Sequence, residues 1–206
     1  MNVLLIHGQG RTTNAMRLLG VRLHRHGYQV RYFRYYTRRE KFSQIVERLV
    51  AAIQALPQDQ PYALIGHSMG GLLARASLPA LAAHAPIHLI MLASPSRPPR
   101  IAPLAQNNPI YRYFTNDCGQ RVVTAEFYKS LPKPNVPTTI IAGTGGPRSK
   151  WFPLAPEAND SVLTVQETQL GPEHAVILVP ALHTFIMNSR ETFQHIDRIL
   201  RESGGG

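Results

Sequence analysis

The sequence has a single cysteine, Cys118, among 206 residues. One thiol cannot close an intrachain disulfide or build a Cys-based zinc site, which excludes disulfide-stapled secreted scaffolds and zinc ribbons. Long apolar runs are also missing. No stretch reaches the ~18 residues of a membrane span. The run from Val3 to Ile6 is too short for the apolar centre of a signal peptide and has no basic segment before it, so a cytoplasmic location is expected. Acidic residues are scarce, 12 Asp plus Glu against 22 Lys plus Arg, for a formal charge of +10. Charged residues make up only 17% and apolar ones 44%, the reverse of a disordered composition. A chain of this length can bury roughly 70% of its unfolded surface, so one domain with a real core is expected. No repeat or linker divides it. The reading is a single domain over 1–202 and a flexible Ser-Gly tail over 203–206.

What is present alternates in period. Short apolar runs at Val3–Ile6, Tyr62–Ile65, Ile87–Ala93, Val136–Ala142 and Ala175–Val179 read as buried strands, and the β-branched and aromatic stretch from Tyr28 to Tyr36 as another. Amphipathic segments at Asn14–His26, Lys41–Leu56, Met69–Ala83 (disturbed at Pro79) and Arg190–Arg201 read as helices. Strands alternating with helices predict an α/β fold, a mostly parallel sheet with helices on both faces. The stretch from Pro95 to Pro134 is irregular and too long for an ordinary connection. It is read as a lid-like insertion.

The sharpest motif is Gly66-His67-Ser68-Met69-Gly70-Gly71, set between an expected strand and an expected helix. It matches the Gly-x-Ser-x-Gly elbow, in which a tight strand-to-helix turn lifts a serine hydroxyl above the sheet. The flanking glycines are needed because strand and helix backbones nearly touch there. A serine alone is a weak nucleophile and needs a base and an orienting acid, expected in the chain order Ser, Asp or Glu, His. His183 is the preferred base over His174, since it follows the last strand at the carboxyl edge of the sheet, where ligands bind in open α/β sheets. Asp160 is the preferred acid over Glu157, Glu167, Glu173 and Asp117. His7-Gly8-Gln9-Gly10, directly after the first strand, suits an oxyanion site. There the Gln9 N–H would join that of Met69 in facing one point near Ser68. His7 is read as packing in that loop.

Taken together, His7-Gly8-Gln9-Gly10, the Ser68 elbow, Asn159-Asp160 and Leu182-His183-Thr184-Phe185-Ile186-Met187 resemble the α/β-hydrolase superfamily, and within it small bacterial lipases and esterases of the lipase A type. The likeness covers nearly the whole chain and is weakest over 95–134. It implies Ser68 as nucleophile, Asp160 as acid, His183 as base, and Gln9 and Met69 as oxyanion donors. Two positions depart from the pattern: Ser161 stands where such proteins often carry Gly, and Ala181-Leu182 where a small polar residue is frequent.

The expected activity is hydrolysis of carboxylic esters or lipids through an acyl-enzyme, needing neither cofactor nor metal. His24 and His26 lie two apart on a helix and so face different ways. Leu104, Ile110, Phe114, Trp151 and Phe152 are candidate acyl-pocket or lid residues. The basic, aromatic stretch Arg31–Arg39 could stack on nucleic acid, but an edge strand whose Arg stems lie over aromatics is preferred. Positive charge around the site, with Arg97, Arg100, Arg148 and Lys150 flanking it, would steer an anionic substrate or an anionic membrane surface. Rival readings are an inactive binding protein of the same fold and a thioesterase or amidase using the same residues.

Overall fold

The computed structural model describes residues 1–103 and 116–204. Six strands, β1 (Asn2–Ile6), β2 (Gln29–Phe33), β3 (Tyr62–His67), β4 (His88–Leu92), β5 (Thr138–Gly143) and β6 (Ala175–Val179), form one sheet in the order β2-β1-β3-β4-β5-β6. Every pairing is parallel. This is the α/β-hydrolase architecture, and the parallel arrangement explains the unbroken apolar runs. Along β1, Val3 and Leu5 enter one core with Met16, Leu19 and Leu23, while Leu4 and Ile6 enter the other with Ile45, Leu49 and Leu72. Both faces are buried, so both are predominantly apolar.

Helices α1 (Arg17–Arg25) and α6 (Arg190–Gly204) cover the first face, and α2 (Phe42–Gln54) and α3 (Met69–Ser77) the second. Helix α3 is shorter than its sequence pattern because Pro79 has no N–H and clashes with the preceding turn. The chain continues as 3-10 turns over Leu78–His84. Strand β2 stops at Phe33 because β1, its one partner among the described residues, ends opposite it at Ile6. Helix α6 runs to Gly204, two residues into the segment expected to be a loose tail, and the Ser203 hydroxyl bonds His88 Nδ1 at 2.9 Å.

Part of the segment 95–134 is described. Residues 116–121 are helical, and α4 spans Ala125–Ser130. Phe127 packs edge-on to Phe42 of α2, and buried Cys118 and Val122 join the same core. Leu104, Ile110 and Phe114 fall outside the described residues. A short helix that the sequence pattern does not announce, α5 (Val165–Thr168), is closed by a Thr164–Glu167 capping box. Among the described residues, no helix is long and apolar enough to cross a membrane.

From β1 the chain first adds β2 on one side and then β3 on the other. The carboxyl ends of β1 and β3 therefore flank a topological switch point, where open α/β sheets form their ligand crevice.

Candidate active site

Ser68 follows directly on β3 at that switch point, with φ 51° and ψ −120°. A non-glycine residue adopts such a conformation only when its surroundings enforce it. The Ser68 N–H is tied to the Leu92 carbonyl at 2.8 Å, and α3 starts at the next residue. A Cβ on Gly66 would overlap the backbone of Gly70 and Gly71, and one on Gly70 would overlap the Ile6 carbonyl. Strand, turn and helix are thus in contact through bare backbone, which is why both positions flanking the serine are glycine.

Three side chains predicted from sequence meet here. His183 Nε2 lies 3.1 Å from Ser68 Oγ, and His183 Nδ1 lies 2.8 Å from Asp160 Oδ2. Asp160 is 1% exposed, and its other oxygen, Oδ1, accepts the Val162 and Leu163 N–H groups at 2.9 and 2.7 Å. One carboxylate oxygen is therefore held by backbone and the other is left for the imidazole. The His183 N–H also donates to the Asp160 carbonyl at 2.8 Å, joining the two loops directly. Ser161, in the turn between Asp160 and its donors, has φ 84°. Glycine reaches such a φ without a steric penalty.

The competing residues lie elsewhere. His174 faces Glu173 at 3.6 Å. Glu157 pairs with Arg100, Asp117 with Arg121, and Glu167 accepts from Thr164 and from the Arg100 N–H. Gln9 and Met69 line a common cavity with Ser68 and His183. Met69 is the first helical residue, so its N–H has no acceptor within the helix.

One residue was not anticipated from sequence. His67 Nε2 lies 2.9 Å from the His183 carbonyl oxygen. A carbonyl can only accept, so Nε2 carries the hydrogen and Nδ1 is bare; Nδ1 is also buried with no partner. Burial first, and then the neighbouring His183, hold the His67 pKa well below its ordinary value. The ring is a neutral strut beneath the His183 loop. No sequence signal exposes a contact between residues so far apart. His7 is likewise buried and neutral, its pKa lowered chiefly by burial. Its Nδ1 bonds the Gly8 carbonyl at 2.9 Å and its ring stacks on Tyr35 at 4.1 Å, fixing the Gln9 loop as the packing reading expected.

The cavity in front of Ser68 measures about 320 Å³ and is otherwise lined by Gly10, Leu72, Pro95, Pro99, Val122, Val162 and Leu163. It is a small, largely apolar slot. Trp151 is 79% exposed and Phe152 half-buried, and neither lines it. Arg97, Arg100, Arg148 and Lys150 are not in its wall either. A larger hollow of about 560 Å³ between His26 and α6 shares no residue with it. There Asp197 is already satisfied by Tyr28, His26 and Arg201. Among the described residues, no three His, Cys, Asp or Glu side chains gather as a metal site would require.

The fold and the Ser68 turn define a class, and comparison with known families agrees: the chain belongs to the thioesterase-domain family, whose model matches residues 3–114. That stretch contains Gln9 and Ser68, while Asp160 and His183 lie beyond it. Among solved structures, the mature lipase BlEst2 of Bacillus licheniformis is similar at 18% identity and a TM-score of 0.79, over 97% of this chain and 91% of that one. A metagenomic carboxyl esterase is similar at 16% identity and a TM-score of 0.75, over 98% of this chain and 76% of its own. Tomato methylketone synthase I, solved with 2-tridecanone, is similar at 14% identity and a TM-score of 0.66, over 98% of both chains. No curated protein sequence matches significantly.

Proposed function

We propose that the protein is a serine hydrolase that cleaves carboxylic esters of short acyl chains through an acyl-enzyme. The carrying observation is the unbroken hydrogen-bonded line from Asp160 through His183 to a positive-φ serine at the mouth of an apolar slot. Ser68 Oγ attacks the acyl carbon while His183 Nε2 takes its proton. Nε2 then returns that proton to the departing alkoxide as the carbon–oxygen bond breaks. A water repeats the sequence: its proton goes to Nε2, its oxygen bonds the acyl carbon, and the Ser68 Oγ–carbon bond breaks as Oγ is reprotonated. The products are acid and alcohol. The Gln9 and Met69 N–H groups would hold the oxyanion, a contribution of about 2.7–4 kcal/mol for each donor. Membership of the thioesterase-domain family favours thioesters as a second substrate class, since the same steps apply with a thiolate leaving.

Two variants test this. Ser68→Ala should abolish both hydrolysis of 4-nitrophenyl butyrate and labelling by a fluorophosphonate, whereas an inactive binding protein would show neither in the wild type. Asp160→Asn keeps the oxygen that Val162 and Leu163 need, so the turn survives. Its amide presents N–H to His183 Nδ1 and forces the proton onto Nε2, where it blocks Ser68. A loss of about 10⁴-fold in kcat is expected with the fold intact. Near-normal kcat in Asp160→Asn would remove Asp160 from the proposed mechanism. Matched oxygen and thio esters of one acyl chain, compared by kcat/KM, separate the two substrate classes.

A further inference from the structure

The slot before Ser68 has an open end and a deep one. At its mouth Gly10 is exposed, and Gln9, Pro99 and Val162 are half-buried. Deeper in, Met69, Leu72 and Val122 line it from the core beneath the second face of the sheet. Helix α3 turns back at Ser68 and packs along β3 and β4, so it leads from the nucleophile into the molecule. Leu72 stands four residues along it from Ser68, a depth of about 6 Å at the helical rise. Val122 is held in place opposite. Its carbonyl accepts the Tyr128 hydroxyl at 2.9 Å, and its N–H donates to the Cys118 carbonyl at 3.3 Å. One turn past Leu72, buried Arg75 donates to the Leu131 and Pro132 carbonyls at 3.2 and 2.6 Å. These bonds fasten the segment that carries Val122 to α3, so the two walls of the deep end are tied to each other.

We propose that Leu72 and Val122 are the stop that sets acyl-chain length, the acyl chain running from Ser68 along α3 until it meets them. The proposal rests on the ester-hydrolase reading and adds to it the residues that limit the substrate. The direction follows from the reaction. When Ser68 Oγ attacks, the acyl carbon carries three other groups. The oxyanion turns to the Gln9 and Met69 N–H groups, and the leaving oxygen must reach His183 Nε2, which hands it a proton. The chain takes the direction that remains, away from His183. The His183 loop packs Ala181 and Ile186 into the core of the first face, whereas Leu72 and Val122 belong to the core of the second. Each methylene that fits between the apolar walls leaves water and strengthens binding about three- to fourfold. One that would overlap Leu72 or Val122 is refused, because a close-packed core does not yield to it.

The test uses two series of esters, one lengthening the acyl chain on a fixed 4-nitrophenol and one lengthening the alcohol on a fixed acetyl group. In wild type, kcat/KM should rise with acyl length and then fall at the carbon that meets the stop. Leu72→Ala should move that optimum about two carbons longer, so that the first chains refused by wild type gain about tenfold relative to its best substrate. Val122→Ala should move it the same way, and Val122→Ile, which adds a methylene, the opposite way. This pair decides the matter if Leu72→Ala does not fold. The alcohol profile should keep its shape in every variant. An acyl optimum that none of the variants moves, or a shift in the alcohol series instead, would overturn the stop and leave the hydrolase reading standing. Absence of hydrolysis by wild type in both series counts against that reading, and binding then decides the stop. Fatty acids of graded length, titrated into Ser68→Ala protein by calorimetry, should show an optimum that lengthens in the Ser68→Ala, Val122→Ala double variant. No optimum, or an unmoved one, refutes the stop.

Discussion

Ser161 shows what a single position costs to orient a carboxylate. Its backbone stands at φ 84° so that the N–H groups of Val162 and Leu163 can converge on Asp160 Oδ1, while its own N–H is held by Asn159 Oδ1 at 2.9 Å. An L-residue in the left-handed region carries a penalty of about 1–2 kcal/mol, part of which glycine gives back through the greater freedom of its unfolded chain. Ser161→Gly is therefore expected to stabilise the protein by about 0.5–1 kcal/mol, read as a rise of roughly 1–4 °C in Tm for a chain of this size. Ester hydrolysis should be unchanged, because every bond to Asp160 comes from other residues. A fall in Tm would show that the turn is not strained. At this scale the convergence of three side chains of the candidate site was legible. Ser68, Asp160 and His183 stand in local motifs whose steric or hydrogen-bonding demands select the residue type. His67 was not legible, because its bond to the His183 carbonyl is made across two loops that only the folded sheet brings together.

At the scale of elements, strands and long helices were readable because burial imposes a period, and the differences arise where a neighbour sets the limit. Strand β2 ends with its partner, and α3 ends at its proline. Helix α5 has only four residues, too few for periodicity, yet it fastens one wall of the slot. Its Glu167 carboxylate accepts the Thr164 N–H and hydroxyl and the Arg100 N–H, while its carbonyl accepts the Ser96 N–H at 2.7 Å. The segment so clamped carries Pro95 and Pro99, both in the slot's lining. Glu167→Ala leaves buried donors unsatisfied and is expected to cost about 1–3 kcal/mol in stability. It should also raise KM for short acyl esters more than it lowers kcat. Glu167→Gln keeps one oxygen for Thr164 but turns an amide toward Arg100, so it should recover stability without recovering KM. If KM is normal in both variants, the clamp has no bearing on the slot.

For the whole molecule, placing the site at the carboxyl edge of a sheet buried on both faces has a consequence for acid stability. The Gln9 and Ser68 turns each rest on a buried imidazole, His7 at 1% and His67 at 2% exposure, and burial lowers the pKa of both below 6.5. In the unfolded chain these groups titrate near that value, so at lower pH the unfolded state binds more protons than the folded one. Stability present above about pH 6.5 is therefore lost as the pH falls. Both histidines therefore weaken the fold as the pH falls below about 6.5, which is read as a fall in Tm. His67→Gln can still donate an amide N–H to the His183 carbonyl but no longer titrates, so it should lose less Tm on acidification than the wild type, whatever its effect at neutral pH. Thermal melts of both proteins above and below about pH 6.5 provide the comparison. A Tm that holds or rises on acidification would mean that these two rings are charged in the folded protein, and that the loops around Ser68 are not carried on neutral imidazoles.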